Sequence, residues 1–399
     1  MKGFPMKKIF LLIALLLVLT AASMLLRAAF LPDAPEAAPD PTPSPSPSPA
    51  PTPAPTPTPE PAPADPVERR LAAMSVEEKA RQMILLCCHD PADAAPAAEL
   101  GVGGLCFYAE SFSGKDREAV IGMCADLQSR SPLPLLLSVD EEGGSVCRVS
   151  TNPGLRSQPF SSPRSLYKAG GWARVESDTE EKARLLLSLG LNVNLAPVCD
   201  VPLSSKNYIY PRCFGTDAPQ TAEYVTRVVT VMERERLGSV LKHFPGYGGS
   251  ADTHKGLAYD DRPYDTFPAR DFLPFEAGIA AGADAVLVSH NIVRCMDGEL
   301  PASLSPEVHR ILREELGFEG VVLCDDLLMG AIEQFTGGQN AAVQAVLAGN
   351  DLISCSDYAA SAAAIAAAVR EGTLSEARLD ESVRRILLWK QALGLDISA

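Results

Sequence analysis

The feature that most constrains this chain is a repeat: short apolar, β-branched runs separated by helix-like stretches. Eight such runs lie at residues 83–88, 102–108, 134–139, 193–198, 239–243, 285–289, 320–324 and 351–354. Helical patterning falls between and after them, at 116–129, 180–189, 218–236, 305–316, 339–348, 359–369 and 375–393. Strands that alternate with helices form a parallel sheet, because each crossover returns the chain to the same end. Eight repeats in one unit of more than 300 residues predict a closed sheet, an α/β chain folded as a single (β/α)8 TIM-type barrel. A doubly wound open sheet is the alternative. No G-x-G-x-x-G follows the first run, so a dinucleotide site is not supported.

The barrel pattern begins only near Val67. Before it, Lys2, Lys7 and Lys8 precede an apolar run over 9–26, interrupted by Thr20 and Ser23 and closed by Arg27. Such a run is long enough to cross a bilayer, and its basic flank places the N-terminal side in the cytoplasm. It outlasts an ordinary signal-peptide core and continues past the small residues Ala21-Ala22-Ser23. That favours a retained anchor over a cleaved signal. Residues 32–66 hold 16 prolines in 35 positions and are expected to be a disordered polyproline II stalk. At ~3.1 Å per residue, its dense part could reach roughly 90 Å. The expected organisation is therefore 1–31 signal anchor or signal peptide, 32–66 linker and 67–399 a monomeric barrel. The barrel would work at the extracellular face of the cytoplasmic membrane or in the wall, or be secreted if the signal is cleaved.

A net charge of -15 excludes a nucleic-acid partner held on a basic face. An even count of ten cysteines in an exported domain would usually suggest disulfides. Most of them, however, sit inside apolar runs such as Leu85-Leu86-Cys87-Cys88 and Val322-Leu323-Cys324, where thiols act as small hydrophobes. Mostly free, buried thiols are expected. No metal-ligand spacing is present.

In (β/α)8 barrels the active site forms at the C-terminal ends of the strands. Here those ends are polar from the third run to the seventh. They carry Asp140-Glu141-Glu142, then Asp200, then Lys242-His243 with a Gly-rich loop to His254, then His290-Asn291 and Asp325-Asp326. Burying so many charges costs several kcal/mol unless they pair or bind something. Two chemistries fit equally at this level. One is glycoside hydrolysis by a carboxylate and an acid/base partner. The other is metal-assisted hydrolysis around His243, Asp252, His254, His290 and Asp325. By pattern alone Asp200 is a sugar contact or a brace, and His290 a site wall or a structural hydrogen-bonder. His309 reads as an ordinary surface helix residue, and Phe272, Phe275 and Ile279 as core.

At these residues the chain resembles glycoside hydrolase family 3, in its β-N-acetylhexosaminidase (NagZ-type) branch, over most of 67–393. Four ordered motifs carry the likeness: 138–148 is similar to V-D-x-E-G-G-x-V-x-R, 212–215 to R-S-F-G, 242–254 to K-H-F-P-G-x-G…D-[ST]-H, and 322–327 to V-x-[ST]-D-D-L. The resemblance implies Asp325 as nucleophile, with Asp326 the competing choice. It implies His254 as general acid/base, oriented by Asp252. It implies Asp140, Arg148, Arg212, Lys242 and His243 as contacts to the sugar in the -1 subsite, with no cofactor and no metal. The implied reaction is retaining release of terminal β-linked N-acetylglucosamine, with peptidoglycan fragments as the expected substrate. Another β-sugar, phosphorolysis in place of hydrolysis, and non-catalytic glycan binding are the alternatives. The sequence departs from the family at Ser145, Cys213 and Tyr247 and has a loop one residue shorter before Asp252. The sandwich-like second domain of larger family members has no counterpart after the eighth run.

Overall fold

A computed structural model describes residues 65–398. The apolar run at 9–26 and nearly all of the Pro-rich segment lie outside the described residues. Among the described residues, no helix is long and apolar enough to cross a membrane. Asp65 and Pro66, which the sequence pattern gave to the linker, are the cap and first residue of helix α1 (Pro66–Ala73). The Asp65 carboxylate accepts Val67 N–H at 2.8 Å, and the proline occupies a position whose N–H would have no partner.

All eight predicted strands are present: β1 (Ile84–Cys88), β2 (Gly104–Phe107), β3 (Leu136–Val139), β4 (Val193–Asn194), β5 (Gly238–Phe244), β6 (Ala285–Val288), β7 (Val321–Cys324) and β8 (Ile353–Cys355). They pair in parallel in the order β7-β6-β5-β4-β3-β2-β1-β8. Closure between β7 and β8 is slight. It includes a bridge between Leu323 and Leu352, with Asp351 N–H and Leu352 N–H donating to Val322 O at 2.7 and 3.1 Å and Cys324 N–H to Leu352 O at 3.3 Å. The sheet is therefore a nearly closed barrel. Every residue of β1, β2, β3, β5, β6 and β7 is buried. That explains their mostly apolar character, with no polar alternation, since parallel strands covered on both faces lose the alternation of a half-exposed strand.

The helices start where side-chain caps allow. Asp116 accepts Ala119 N–H ahead of Arg117–Arg130, Asp217 accepts Gln220 N–H ahead of Ala218–Glu235, and Ser375 accepts Arg378 N–H ahead of Glu376–Ala392. The helix expected at 180–189 is longer, Pro163–Ser188, with a break in helical dihedrals at Gly170-Gly171. Its N-terminal half is anchored by aromatic stacking and not by an aliphatic stripe, which is why periodicity missed it. Trp172 stacks on Phe214 at 5.4 Å, and Phe214 on Tyr224 at 5.0 Å. His309 corrects the expectation of a surface residue. It is buried, its Nδ1 donates to Ser305 O at 2.9 Å, and it packs against Gly349, where an added Cβ would come within 2.8 Å of the imidazole. Phe272 and Phe275 are buried in the core and Ile279 packs against it. All ten cysteines are free, and all but Cys295 are buried.

Candidate active site

The polar strand ends converge on one cleft of about 760 Å³ at the C-terminal face of the barrel. Asp140, Arg148, Arg212, Lys242, His243, His254 and Asp325 all line it.

The β3–β5 side is an ion-pair cluster built around Glu142. This carboxylate takes a two-pronged contact from Arg212, Nε at 3.0 Å and Nη2 at 2.7 Å, and Lys242 Nζ at 2.6 Å. Burial would raise the Glu142 carboxyl, but the two cations outweigh it and hold its pKa far below the usual range. Lys242 also reaches Asp140 Oδ1 at 2.5 Å, and Arg148 lies 3.9 Å from Asp140 Oδ2. Burial disfavours the Lys242 charge, yet Asp140 and Glu142 together keep its pKa above the ordinary lysine value. Three cations and two carboxylates thus present fixed hydrogen-bonding groups to the cleft, an arrangement suited to hydroxyl recognition. Glu141, fully buried next door, accepts Arg148 N–H and Val149 N–H at 2.9 and 2.7 Å. It thereby pins the short Glu141–Gly143/Val146–Cys147 hairpin that presents Arg148.

His243 is fully committed. Its Nδ1 donates to Asp200 Oδ2 at 2.6 Å, and its Nε2 accepts from Arg212 Nη2 at 3.0 Å. Asp200, buried, is therefore the brace of the two readings; its other oxygen accepts Tyr247 N–H at 2.8 Å. His290 is likewise committed: Nε2 donates to Asp326 O at 3.0 Å and Nδ1 accepts from Ser303 Oγ at 2.7 Å. Neither imidazole has a lone pair left for a metal. Among the described residues no cluster of metal-ligating side chains forms.

Asp325 follows β7. Its Oδ1 accepts the N–H of Asp326 at 3.0 Å. Burial would raise this carboxyl, but the imidazoles of His290, His243 and His254 outweigh it and hold the pKa below the ordinary value. The group is a half-buried carboxylate lining the cleft, ionised at neutral pH.

His254 sits on the loop after β5, with its side chain 60% exposed. Its Nδ1 donates to Asp252 Oδ1 at 2.8 Å, and Nε2 has no hydrogen bond to another described residue. Burial pushes the Asp252 carboxyl up, but its hydrogen bonds and charge contact with His254 bring it below the usual value. The loop is tied down at several points. Arg262 bridges Asp260 and Asp271, each at 2.7 Å. Gly248, at φ +52°, lies where a Cβ would strike the Arg262 guanidinium. Tyr247, standing where the family pattern has His, is buried and shares a 2.6 Å hydrogen bond with Thr253 Oγ1. The loop also docks on the helix after β7, Gly330–Thr336. Ala331 N–H donates to Thr253 O at 3.1 Å, Leu257 N–H donates to Gln334 Oε1 at 3.1 Å, and a Cβ at Gly330 would come within 2.9 Å of His254 O.

Three residues of the site were not singled out from sequence as functional contacts. Glu142 was visible as a charged strand end but not as a hub. His89 and Tyr108 follow β1 and β2 and form the opposite wall, with ring centroids 4.4 Å apart and Arg148 5.6 Å from the Tyr108 ring. A histidine directly after the first run was the available signal.

The Glycosyl hydrolase family 3 N terminal domain matches residues 75–388. A beta-hexosaminidase of Stenotrophomonas maltophilia is 36% identical over 258 residues, 63% of this chain and 75% of the relative. Among solved structures, a glycoside hydrolase family 3 beta-N-acetylglucosaminidase from Paenibacillus sp. superposes with a TM-score of 0.75 at 32% identity. The match covers 81% of this chain and 63% of that one, so this chain spans less than two thirds of that enzyme's length. A glycosyl hydrolase family 3 member from Mycobacterium smegmatis gives a TM-score of 0.72 at 30% identity, covering 80% and 98% of the two chains. By its matched domain, its relatives and its barrel, the chain belongs to glycoside hydrolase family 3 and is a glycoside hydrolase.

Proposed function

We propose that the protein is a retaining exo-β-N-acetylglucosaminidase. Asp325 is the nucleophile, His254 the general acid/base and Asp252 the group that orients His254 and stabilises its charged form. The observation that carries this reading is the pairing of an ionised, cleft-facing Asp325 with a His254–Asp252 pair whose outer nitrogen is unengaged. The Asp325 carboxylate attacks the anomeric carbon while His254 Nε2–H protonates the departing glycosidic oxygen. Nε2 then takes a proton from water, which attacks the glycosyl ester and frees Asp325. Asp140, Arg148, Arg212 and Lys242 hold the hydroxyls of the sugar, and His243, fixed by Asp200, holds Arg212. The relatives named beta-hexosaminidase and beta-N-acetylglucosaminidase support N-acetylglucosamine as that sugar. Peptidoglycan fragments are the substrate that fits a barrel carried outside the membrane on the 9–26 run and the Pro-rich segment, acting as a monomer.

The test is an assay of the full-length protein on aryl β-N-acetylglucosaminide and aryl β-glucoside, with and without chelator and phosphate. Preference for the N-acetyl substrate, indifference to chelator, and loss of turnover in Asp325→Asn support the reading. Activity lost with chelator, or Asp325→Asn at near-normal activity, overturns it. Acceleration by phosphate makes the second step phosphorolysis.

A further inference from the structure

The nucleophile's orientation depends on one backbone donor. The only hydrogen bond to the Asp325 carboxylate from another described residue is Asp326 N–H to Oδ1. Whatever fixes the Asp326 peptide therefore fixes the nucleophile. Besides the local bond from Met329 N–H to Asp326 O at 2.9 Å, three contacts that involve side chains do so. His290 Nε2 holds the Asp326 carbonyl at 3.0 Å from inside the barrel. Asp326 Oδ1 accepts Leu328 N–H at 3.0 Å, closing a local turn. The third comes from across the sheet: His89 Nε2 meets Asp326 Oδ2 at 2.7 Å. Since the carboxylate is an acceptor, the imidazole is the donor.

His89 differs from the other two anchors. It follows β1, two strands away from β7 around the nearly closed barrel. Its side chain is 46% exposed at the cleft, and its ring is stacked on Tyr108. The His89 backbone is itself set by its N–H bond to Cys87 O at 2.8 Å. An exposed imidazole has little to give the core, so its cost in side-chain entropy is offset by what it holds. The hydrogen bond and the ring stack select one rotamer and aim it at the turn beside Asp325.

We propose that His89 is a positioning residue for the nucleophile, acting through Asp326, with Tyr108 holding the imidazole in plane. The inference rests on Asp325 being the nucleophile. It places His89 outside direct sugar binding, so removing it should slow formation of the glycosyl-enzyme and leave binding almost unchanged.

The experiment compares the full-length protein with His89→Ala, His89→Gln, Tyr108→Leu and Asp325→Asn on an activated aryl β-N-acetylglucosaminide. Steady-state kcat and KM and the single-turnover glycosylation rate are measured. His89→Ala should lower kcat and the glycosylation rate about tenfold with KM within about twofold, a misalignment worth roughly 1.4 kcal/mol. His89→Gln, whose amide nitrogen stands in for Nε2, should recover most of that loss, and Tyr108→Leu, which loses the stack, should lower kcat in the same direction by less. A His89→Ala protein with unchanged kcat, or one whose KM rises while kcat holds, overturns the proposal; the latter would make His89 a sugar contact. Equal losses in His89→Ala and His89→Gln also overturn it. The two readings separate cleanly. An active Asp325→Asn variant removes the nucleophile assignment, while an inactive one beside a normal His89→Ala removes only the role of His89.

Discussion

Lys390 offers a quantitative test of how this fold handles buried charge. It lies on Glu376–Ala392 and is fully buried, with Nζ donating to Gln82 Oε1 at 2.6 Å. The orientation of Gln82 is set independently, because its Nε2 donates to Gly101 O and Val102 O. No carboxylate among the described residues reaches the ammonium, and burial alone pulls its pKa from 10.5 down to about 7. The folded pKa is depressed, so the stability associated with this group is fully present above pH 10.5. It falls away as pH drops towards about 7, because across that window the unfolded chain takes up a proton and the folded chain does not. That difference in pKa, about 3.5, corresponds to about 5 kcal/mol when fully expressed and to about 4 kcal/mol at neutral pH. Lys390→Met keeps the aliphatic stem and removes the penalty, at a cost of ~1–3 kcal/mol for leaving Gln82 Oε1 unpaired. The variant should therefore be more stable than the parent at pH 7 by roughly 1–3 kcal/mol, and that advantage should shrink by about 3 kcal/mol by pH 10. Guanidinium unfolding of both proteins at pH 7, 8.5 and 10 measures the difference, with other titrating groups cancelling in the comparison. A stability difference that does not change with pH would mean the amine keeps its proton in the fold, and would refute the reasoning.

Other perturbations follow from the cleft. His254→Ala should cost about 10²–10⁴-fold on substrates with poor leaving groups and far less on activated aryl glycosides, which need no proton to depart. Equal losses on both would argue against an acid role. Glu142→Gln removes the shared counter-charge of Arg212 and Lys242 and should destabilise by roughly 3–5 kcal/mol while raising KM. A melting curve and steady-state kinetics check both effects. Gly248→Ala would drive a methyl into the Arg262 guanidinium at a positive φ, so a loss of about 1–3 kcal/mol is expected, with a lower kcat because the same loop carries His254. Unaltered melting and kcat would show that the loop relaxes freely.

The sequence made the barrel readable because all eight strands are buried on both faces, and most appear as largely apolar runs, from Leu85-Leu86-Cys87 to Val321-Val322-Leu323. Asp325, His254 and Asp252, the proposed reacting groups, stood out as polar residues at strand ends and on a loop, while their roles came from the family resemblance. Periodicity did not reveal the partners. Asp200, Glu142 and His290 do their work through contacts 36 to 70 residues away along the chain, to His243, Arg212 and Asp326. His309 looked exposed because its helix is polar overall, yet Gly349 opens the space that buries it. Aromatic anchoring through Trp172 likewise has no helical period to detect.

The docking of the 245–258 loop on Gly330–Thr336 has a consequence for how such sites diverge. Backbone contacts at Thr253 and Ala331, the Gln334 amide and the absent side chain at Gly330 form a single joint. On one side of that joint stands the proposed proton donor, and on the other the segment leading out of the proposed nucleophile. Substituting the loop of a relative would change both partners of the joint at once, unless the matching helix face came with it. The two segments therefore form one unit of inheritance, and chimeras that exchange them together should retain activity where single-segment exchanges lose it.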